Sequence, residues 1–121
     1  MALPEVGGLA AVSAALPRAL RAWSDVRILL PGYREVAAQF PSLEIVGHCE
    51  ALGEMPACSL ALAATKDGMP VYILLCPQIY DRPGNPYGDT SGRDWPDNDV
   101  RFARFASAAA QLAAGSLDNN W

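Results

Sequence analysis

Lysine and histidine each occur once in this 121-residue chain, as Lys66 and His48. With a single lysine and a formal net charge of -4, the chain has no basic face suited to coating a nucleic acid. One histidine is little material for a zinc site or a Ser/His/Asp triad, so His48 reads as an ordinary strand residue. Cysteine is also scarce. Cys49, Cys58 and Cys76 cannot all pair and lack Cys-X-X-Cys spacing, so they read as buried thiols rather than metal ligands or a redox pair. No apolar run reaches the roughly 18 residues of a membrane span, and no cationic stretch followed by an apolar block opens the chain. The expectation is a soluble cytoplasmic protein with no metal, no cofactor, no nucleic-acid partner and no membrane contact.

Apolar residues, by contrast, are plentiful. They make up 51% of the chain against 18% charged, enough for one globular domain with its own core. Between Gly8 and Trp23 the residues Leu9, Val12, Leu16, Leu20 and Trp23 recur at spacings of three and four, which predicts a helix with one buried face. Pro17 lies inside that helix and is expected to kink it. Residues 25–31 form a short apolar run ended by Pro31-Gly32, as a buried strand would, and Arg34 to Phe40 reads as a short helix. Residues 43–49 alternate, with Leu43, Ile45, Gly47 and Cys49 on one side. Residues 58–64 and 70–76 read as further strands. Asp67-Gly68 between these last two signals a hairpin turn, so that pair is expected to be antiparallel.

After Cys76 the composition changes to a long proline- and glycine-rich loop that carries Tyr80, Tyr87 and Trp95. A loop this long in a compact domain is either functional or without order, and its aromatics favour an ordered loop that lines a ligand or packs on the domain. Asp97 then caps a helix whose apolar positions Phe102, Phe105, Ala109, Leu112 and Ala113 form one face, closed by Gly115. Together these elements predict an α/β domain with helices packed on a sheet, with an antiparallel hairpin at roughly 55–76 and helices at roughly 8–23 and 98–114.

Two features can carry chemistry. Gly7-Gly8 precedes a helix N-terminus, where free backbone N–H groups and a partial positive charge suit an anion; the same pair also suits a simple tight turn. The loop carboxylates Asp81, Asp89, Asp94, Asp97 and Asp99 are candidates for acid/base or metal work, but turn and cap roles account for most of them more simply.

Three stretches taken in order resemble one family: VGGLAAVSAALPRALRAWSDVRILLPGYREV, VYILLCPQIYDRPGNPYGD and WPDNDVRFARFASAA. They are similar to the N-terminal domain of bacterial glycogen synthases and plant starch synthases, family 5 of the glycosyltransferases. The resemblance implies a two-domain enzyme with Rossmann-like halves that transfers glucose from ADP-glucose to an α-1,4-glucan with retention of configuration. In that family a Lys-X-Gly-Gly-Leu motif contacts the sugar nucleotide. Gly7, Gly8 and Leu9 match it, Glu5 stands at the lysine position, and Ala11 stands where an aspartate follows. Tyr87 lies in a loop that the family places near its cleft, which implies a sugar-facing residue. The alternative for Tyr87 is packing on the domain body. Asp81, Arg82, Asn98 and Arg101 read as loop anchors rather than catalytic groups.

Against the family pattern, the first strand, a later segment containing histidine and aspartate, and the second domain are missing from the sequence as it stands. The expectation is therefore an incomplete Rossmann-like N-terminal domain over 1–121, with no catalytic residue of its own and no glucosyl transfer as an isolated chain. The alternative is a non-catalytic module derived from that domain, binding glucan or nucleotide or forming homo-oligomers through an exposed sheet edge.

Overall fold

The computed structural model describes residues 9–83 and 88–121, with side chains from Ala15 onward. Its elements in chain order are α1 (Leu9–Leu20), β1 (Ile28–Pro31), α2 (Arg34–Ala37), β2 (Glu44–Cys49), β3 (Cys58–Ala64), β4 (Pro70–Leu75), α3 (Pro77–Tyr80) and α4 (Asn98–Ala113). The four strands form one mixed sheet in the order β1-β4-β3-β2. β1 runs parallel to β4, whereas β3 is antiparallel to both β4 and β2. No helix among the described residues is long and apolar enough to cross a membrane.

β4 explains the layering. It lies between β1 and β3, and Val71, Tyr72, Ile73 and Leu74 are all fully buried, as a strand covered on both faces requires. Its alternate side chains serve two cores. Tyr72, Leu74 and Cys76 join Leu60, Ala108, Leu112 and Leu117 on the α4 side, while Val71 and Ile73 join Ile28, Val36, Phe40 and Met69 on the α2 side. The β3–β4 turn closes through Thr65 N–H to Met69 O at 3.0 Å, with Gly68 at φ +82°.

Three local expectations need correction. Of the apolar row expected on α1, the members whose side chains are described are not buried: Leu16 and Leu20 are about half exposed and Trp23 is 87% exposed. Periodicity says which side of a helix is apolar, not that a surface is available to cover it. Here α1 is tied to the sheet by an Arg18–Asp67 ion pair of 2.7 Å at the β3–β4 turn. The regular alternation in β2 is broken by a register shift between Ile45 and Gly47, which leaves Ile45 half exposed and brings Val46 and Cys49 to the α4 side. In α4 the buried positions are Arg101, Arg104, Ala108 and Leu112, and Phe102 is 46% exposed. That row keeps helical spacing but is rotated from the expected one, because two arginines head it.

The chain beyond α4 is fastened tightly. Gly115 N–H bonds Leu112 O and Ser116 N–H bonds Gln111 O, a Schellman closure with Gly115 at φ +81°. Leu117 then lies against β2, and Asp118 is buried where it accepts a 2.6 Å hydrogen bond from the Tyr72 hydroxyl. Arg27 donates to the same hydroxyl at 2.6 Å. Burial pushes the Tyr72 hydroxyl up to about 12, and its hydrogen bond to Asp118 adds to the rise.

Candidate functional site

In an open α/β sheet, ligands collect outside the carboxyl ends of parallel strands. β1 and β4 are the parallel pair here, and a cleft of about 370 Å³ opens at their carboxyl ends, lined by Gly32, Arg34, Ala37, Leu75, Cys76, Pro77 and Asp81. Gly32 makes this end compact. Its N–H donates to Leu74 O at 2.8 Å, and a Cβ there would sit 2.8 Å from that same oxygen. The floor is apolar, and the mouth carries an exposed Arg34–Asp81 ion pair of 2.9 Å. An exposed pair of this kind contributes about 0–1 kcal/mol, so its groups can exchange each other for the hydroxyl or phosphate oxygens of a ligand. A larger hollow of about 600 Å³ lies at the other end of the sheet, lined by Gln39, Phe40, Pro41, Thr65 and Lys66. Of its polar groups, Thr65 is already engaged, bonding Asp67 through its hydroxyl and accepting from Met69 N–H at 3.0 Å.

The long loop arises beside the cleft and is pinned by arginines. Arg82 forms a two-pronged pair with Asp97, both contacts 2.7 Å, and donates to Gln78 O at 2.7 Å. Its guanidinium lies 5.0 Å from the Trp95 ring centre. Arg101 is 1% exposed and donates to Ile79 O and to Asn98 Oδ1, each at 2.8 Å. It faces the rings of Tyr33, Tyr80 and Trp95 at 5.4–6.0 Å, within cation–π range. The Tyr80 hydroxyl returns a 2.5 Å bond to Arg101 O, and the Tyr33 and Tyr80 rings meet edge to face. Burial holds the Arg101 guanidinium below its usual range and pushes the Tyr80 hydroxyl up. At the loop tip Asp89 Oδ1 accepts from Ser91 N–H, the Ser91 hydroxyl and Arg93 N–H.

The structure thus sorts the expected residues. Asp81, Arg82, Asn98 and Arg101 are anchors. Asp97 starts α4 but makes no side-chain cap; its carboxylate is held by Arg82 instead, a correction with a simple cause, since a charged fork outcompetes a backbone N–H. Tyr80 is buried rather than lining the cleft. His48 is an exposed strand residue with Nδ1 3.3 Å from the Ser59 hydroxyl, and all three cysteines are buried and free. Among the described residues no group of three or more His, Cys, Asp or Glu is placed to hold a metal. Glu5, Gly7, Gly8 and Tyr87 lie outside the described residues, and Leu9 is the first residue of α1. The reading of the sequence missed Arg34, Tyr33 and the buried Arg104, whose NH1 donates to Glu50 O and Pro56 O. The signal for Arg104 was its i+3 spacing from Arg101 on a face that continues through Ala108 and Leu112.

Asp97 and Asp89 both titrate below the usual carboxylate range, Asp97 chiefly through Arg82 and Asp89 chiefly through Ser91. A depressed carboxylate adds stability that is full above its unfolded value and is lost as pH falls through the folded one. Stability measured by urea unfolding should therefore hold from pH 7 down to about 4 and fall below it. Asp97→Asn should remove about 0.5–1 kcal/mol of that acid dependence, as a partly exposed pair allows. An identical pH profile in the variant would contradict the Arg82–Asp97 clamp.

The family model described as the starch synthase catalytic domain matches residues 2–121. "Glycogen synthase 1" of Bradyrhizobium diazoefficiens is 71% identical over 116 residues, 96% of this chain and 25% of that protein. Glycogen synthases of Pseudomonas syringae pv. tomato and Pseudomonas putida are 46% and 48% identical over 119 residues, 98% of this chain and 25% and 23% of theirs. The chain spans about a quarter of the length of these curated relatives.

Proposed function

The chain belongs to the starch synthase catalytic-domain family, and from that premise we propose that it is the N-terminal, Rossmann-like part of a glucosyltransferase acting on ADP-glucose and α-1,4-glucan. The observation that carries this reading is the 71% identity to a protein named glycogen synthase over 96% of the chain. The geometry supports it. Residues on either side of 84–87 are clamped, Asp81 by Arg34 and Asp97 by Arg82, and the cleft at the carboxyl ends of β1 and β4 pairs an apolar floor with the Arg34–Asp81 mouth. Such a mouth suits a sugar, whose hydroxyls both donate and accept. In this reading Gly7, Gly8 and Leu9 form the donor loop, with α1 starting at Leu9, and Tyr87 faces the sugar.

By itself the chain transfers no glucose. The chain spans about a quarter of the length of its relatives, and three of its loop carboxylates are held in place, Asp81 by Arg34, Asp97 by Arg82 and Asp89 by its own turn. The test is a chimera in which this chain replaces the matching stretch of the Bradyrhizobium glycogen synthase. It should move glucose from ADP-glucose to glycogen while the isolated chain does not. A folded chimera with no transfer would overturn the proposal.

Glu5 gives a second, directional check. A glutamate near a diphosphate opposes it, and Glu5→Lys in the chimera should tighten ADP-glucose binding about tenfold, or about 1.4 kcal/mol, for a solvated charge reversal. An unchanged affinity would remove the glycine pair from the donor site.

A further inference from the structure

Three strands bring a cysteine to the same end of the sheet. Cys49 is the last residue of β2, Cys58 the first of β3, and Cys76 follows directly after β4. All three are free and buried, at 2%, 7% and 1% exposure. Cys49 and Cys58 stand directly opposite each other in the antiparallel register, and Cys49 adds to the upward push that burial gives the Cys58 thiol. Opposed residues in such a pair have Cα atoms about 4.5–5.5 Å apart, inside the 4.4–6.8 Å range that a disulfide spans. Joining them takes side-chain rotation and a small closing of the pair, since opposed Cβ atoms stand about 4.5–5.5 Å apart and a disulfide brings them to about 3.5–4.5 Å. Cys76 is engaged elsewhere, its thiol directed at Ala57 O at 3.7 Å.

The geometry points to Cys49–Cys58 as a disulfide-forming modification site whose oxidant is a small-molecule disulfide such as glutathione disulfide. Burial keeps both thiols from reacting in the closed sheet, and it holds the Cys58 thiol up near about 12 against the pull of Arg104. The pair nevertheless ends the ladder of β2, the edge strand among the described residues, and in this proposal it reacts when that end of the ladder opens. In the opened state one cysteine thiolate attacks a sulfur of the oxidant, breaks its S–S bond and releases one glutathione thiolate. The other cysteine thiolate then attacks the protein sulfur of the mixed disulfide and releases the second. The two cysteines lose two electrons, the oxidant gains them, and the two cysteine protons end on two glutathione thiols.

The bond has a structural consequence. It closes a ring over residues 49–58, and that ring contains Glu50 and Pro56, whose carbonyls hold Arg104 of α4. Oxidation therefore fixes the seat of a buried arginine. The Nε of that arginine has no hydrogen-bond partner among the described residues.

The test is to treat the folded chain with glutathione disulfide, alkylate the remaining thiols, cleave with a glutamate-specific protease and identify the linkage by mass spectrometry. Cleavage after Glu50 and Glu54, followed by tryptic cleavage after Lys66, puts the three cysteines on separate peptides. The expected product is one disulfide, Cys49 to Cys58, with Cys76 alkylated and a melting temperature raised by about 5 °C. Cys76→Ala should still form it, whereas Cys49→Ala and Cys58→Ala should not. The same chain oxidised in concentrated urea should give a mixture of pairings, which keeps the test independent of how well any variant folds. A Cys58–Cys76 link, glutathione adducts alone, no oxidation at all, or the urea mixture from the folded chain would each overturn the proposal.

Discussion

Replacing Arg101 by methionine should cost about 3 kcal/mol of stability and loosen the whole loop end of the sheet. Methionine keeps the apolar stem and removes only the guanidinium, so packing is nearly preserved. What is lost is the fork that satisfies Ile79 O and Asn98 Oδ1 and the cation that faces Tyr33, Tyr80 and Trp95. Ile79 is itself buried, so its carbonyl would be stranded away from water. The Arg82–Asp97 pair offers the contrast: both side chains are partly exposed, and Arg82→Ala should cost about 1 kcal/mol. Urea unfolding gives both numbers on one scale, and Trp95 fluorescence reports whether the loop loosens first. Equal losses for the two variants would mean that Arg101 is no more than another surface anchor.

Gly47→Ala should be nearly as damaging, at about 3 kcal/mol, although it adds one methyl group. A Cβ at Gly47 would stand 2.1 Å from Leu117 O, so the segment after α4 would have to lift from β2. That segment cannot lift alone. Leu117 is 6% exposed, and Asp118 holds the Tyr72 hydroxyl at the centre of the sheet. Gly53 serves as the control, because a Cβ there meets nothing within 4 Å and only its φ of +57° resists substitution. Gly53→Ala should therefore cost about 1 kcal/mol, for conformation alone. If the two variants melted at the same temperature, the close approach of Leu117 to β2 would be wrong.

Much of the fold was legible where one signal dominated. β4 is an apolar run because both of its faces are covered, and Asp67-Gly68 marked the turn before it. The errors share a cause. Hydropathy assigns arginine to the surface, so the inward face of α4 was read as including Phe102, which is exposed, and without Arg101 and Arg104, while Phe105 and Leu112 do meet the core. Local pattern also says nothing of what lies across a gap, which is why the apolar row of α1 looked buried and why the bulge in β2 was invisible. The bulge accompanies the close contact of Gly47 with Leu117, some seventy residues away in sequence.

The site was legible in part. Of the aromatics that marked the long loop, Tyr80 and Trp95 stand against Arg101, and Asp81, Arg82, Asn98 and Arg101 were recognised as anchors. Their partners were not, because Arg34–Asp81 and Arg82–Asp97 join segments that sequence order separates. The same distance hid the cleft, which exists only because β1 and β4 lie side by side.

The central claim is that the carboxyl ends of β1 and β4 form the face that meets sugar. It is tested most directly by titrating the isotopically labelled chain with a maltooligosaccharide and mapping the amide and indole shifts. Saturable changes should gather at Gly32, Arg34, Leu75, Asp81 and the Trp95 indole, and spare Gln39, Thr65 and Lys66 at the opposite end. Saturable changes centred on Gln39, Thr65 and Lys66, or no saturable change anywhere, would contradict it.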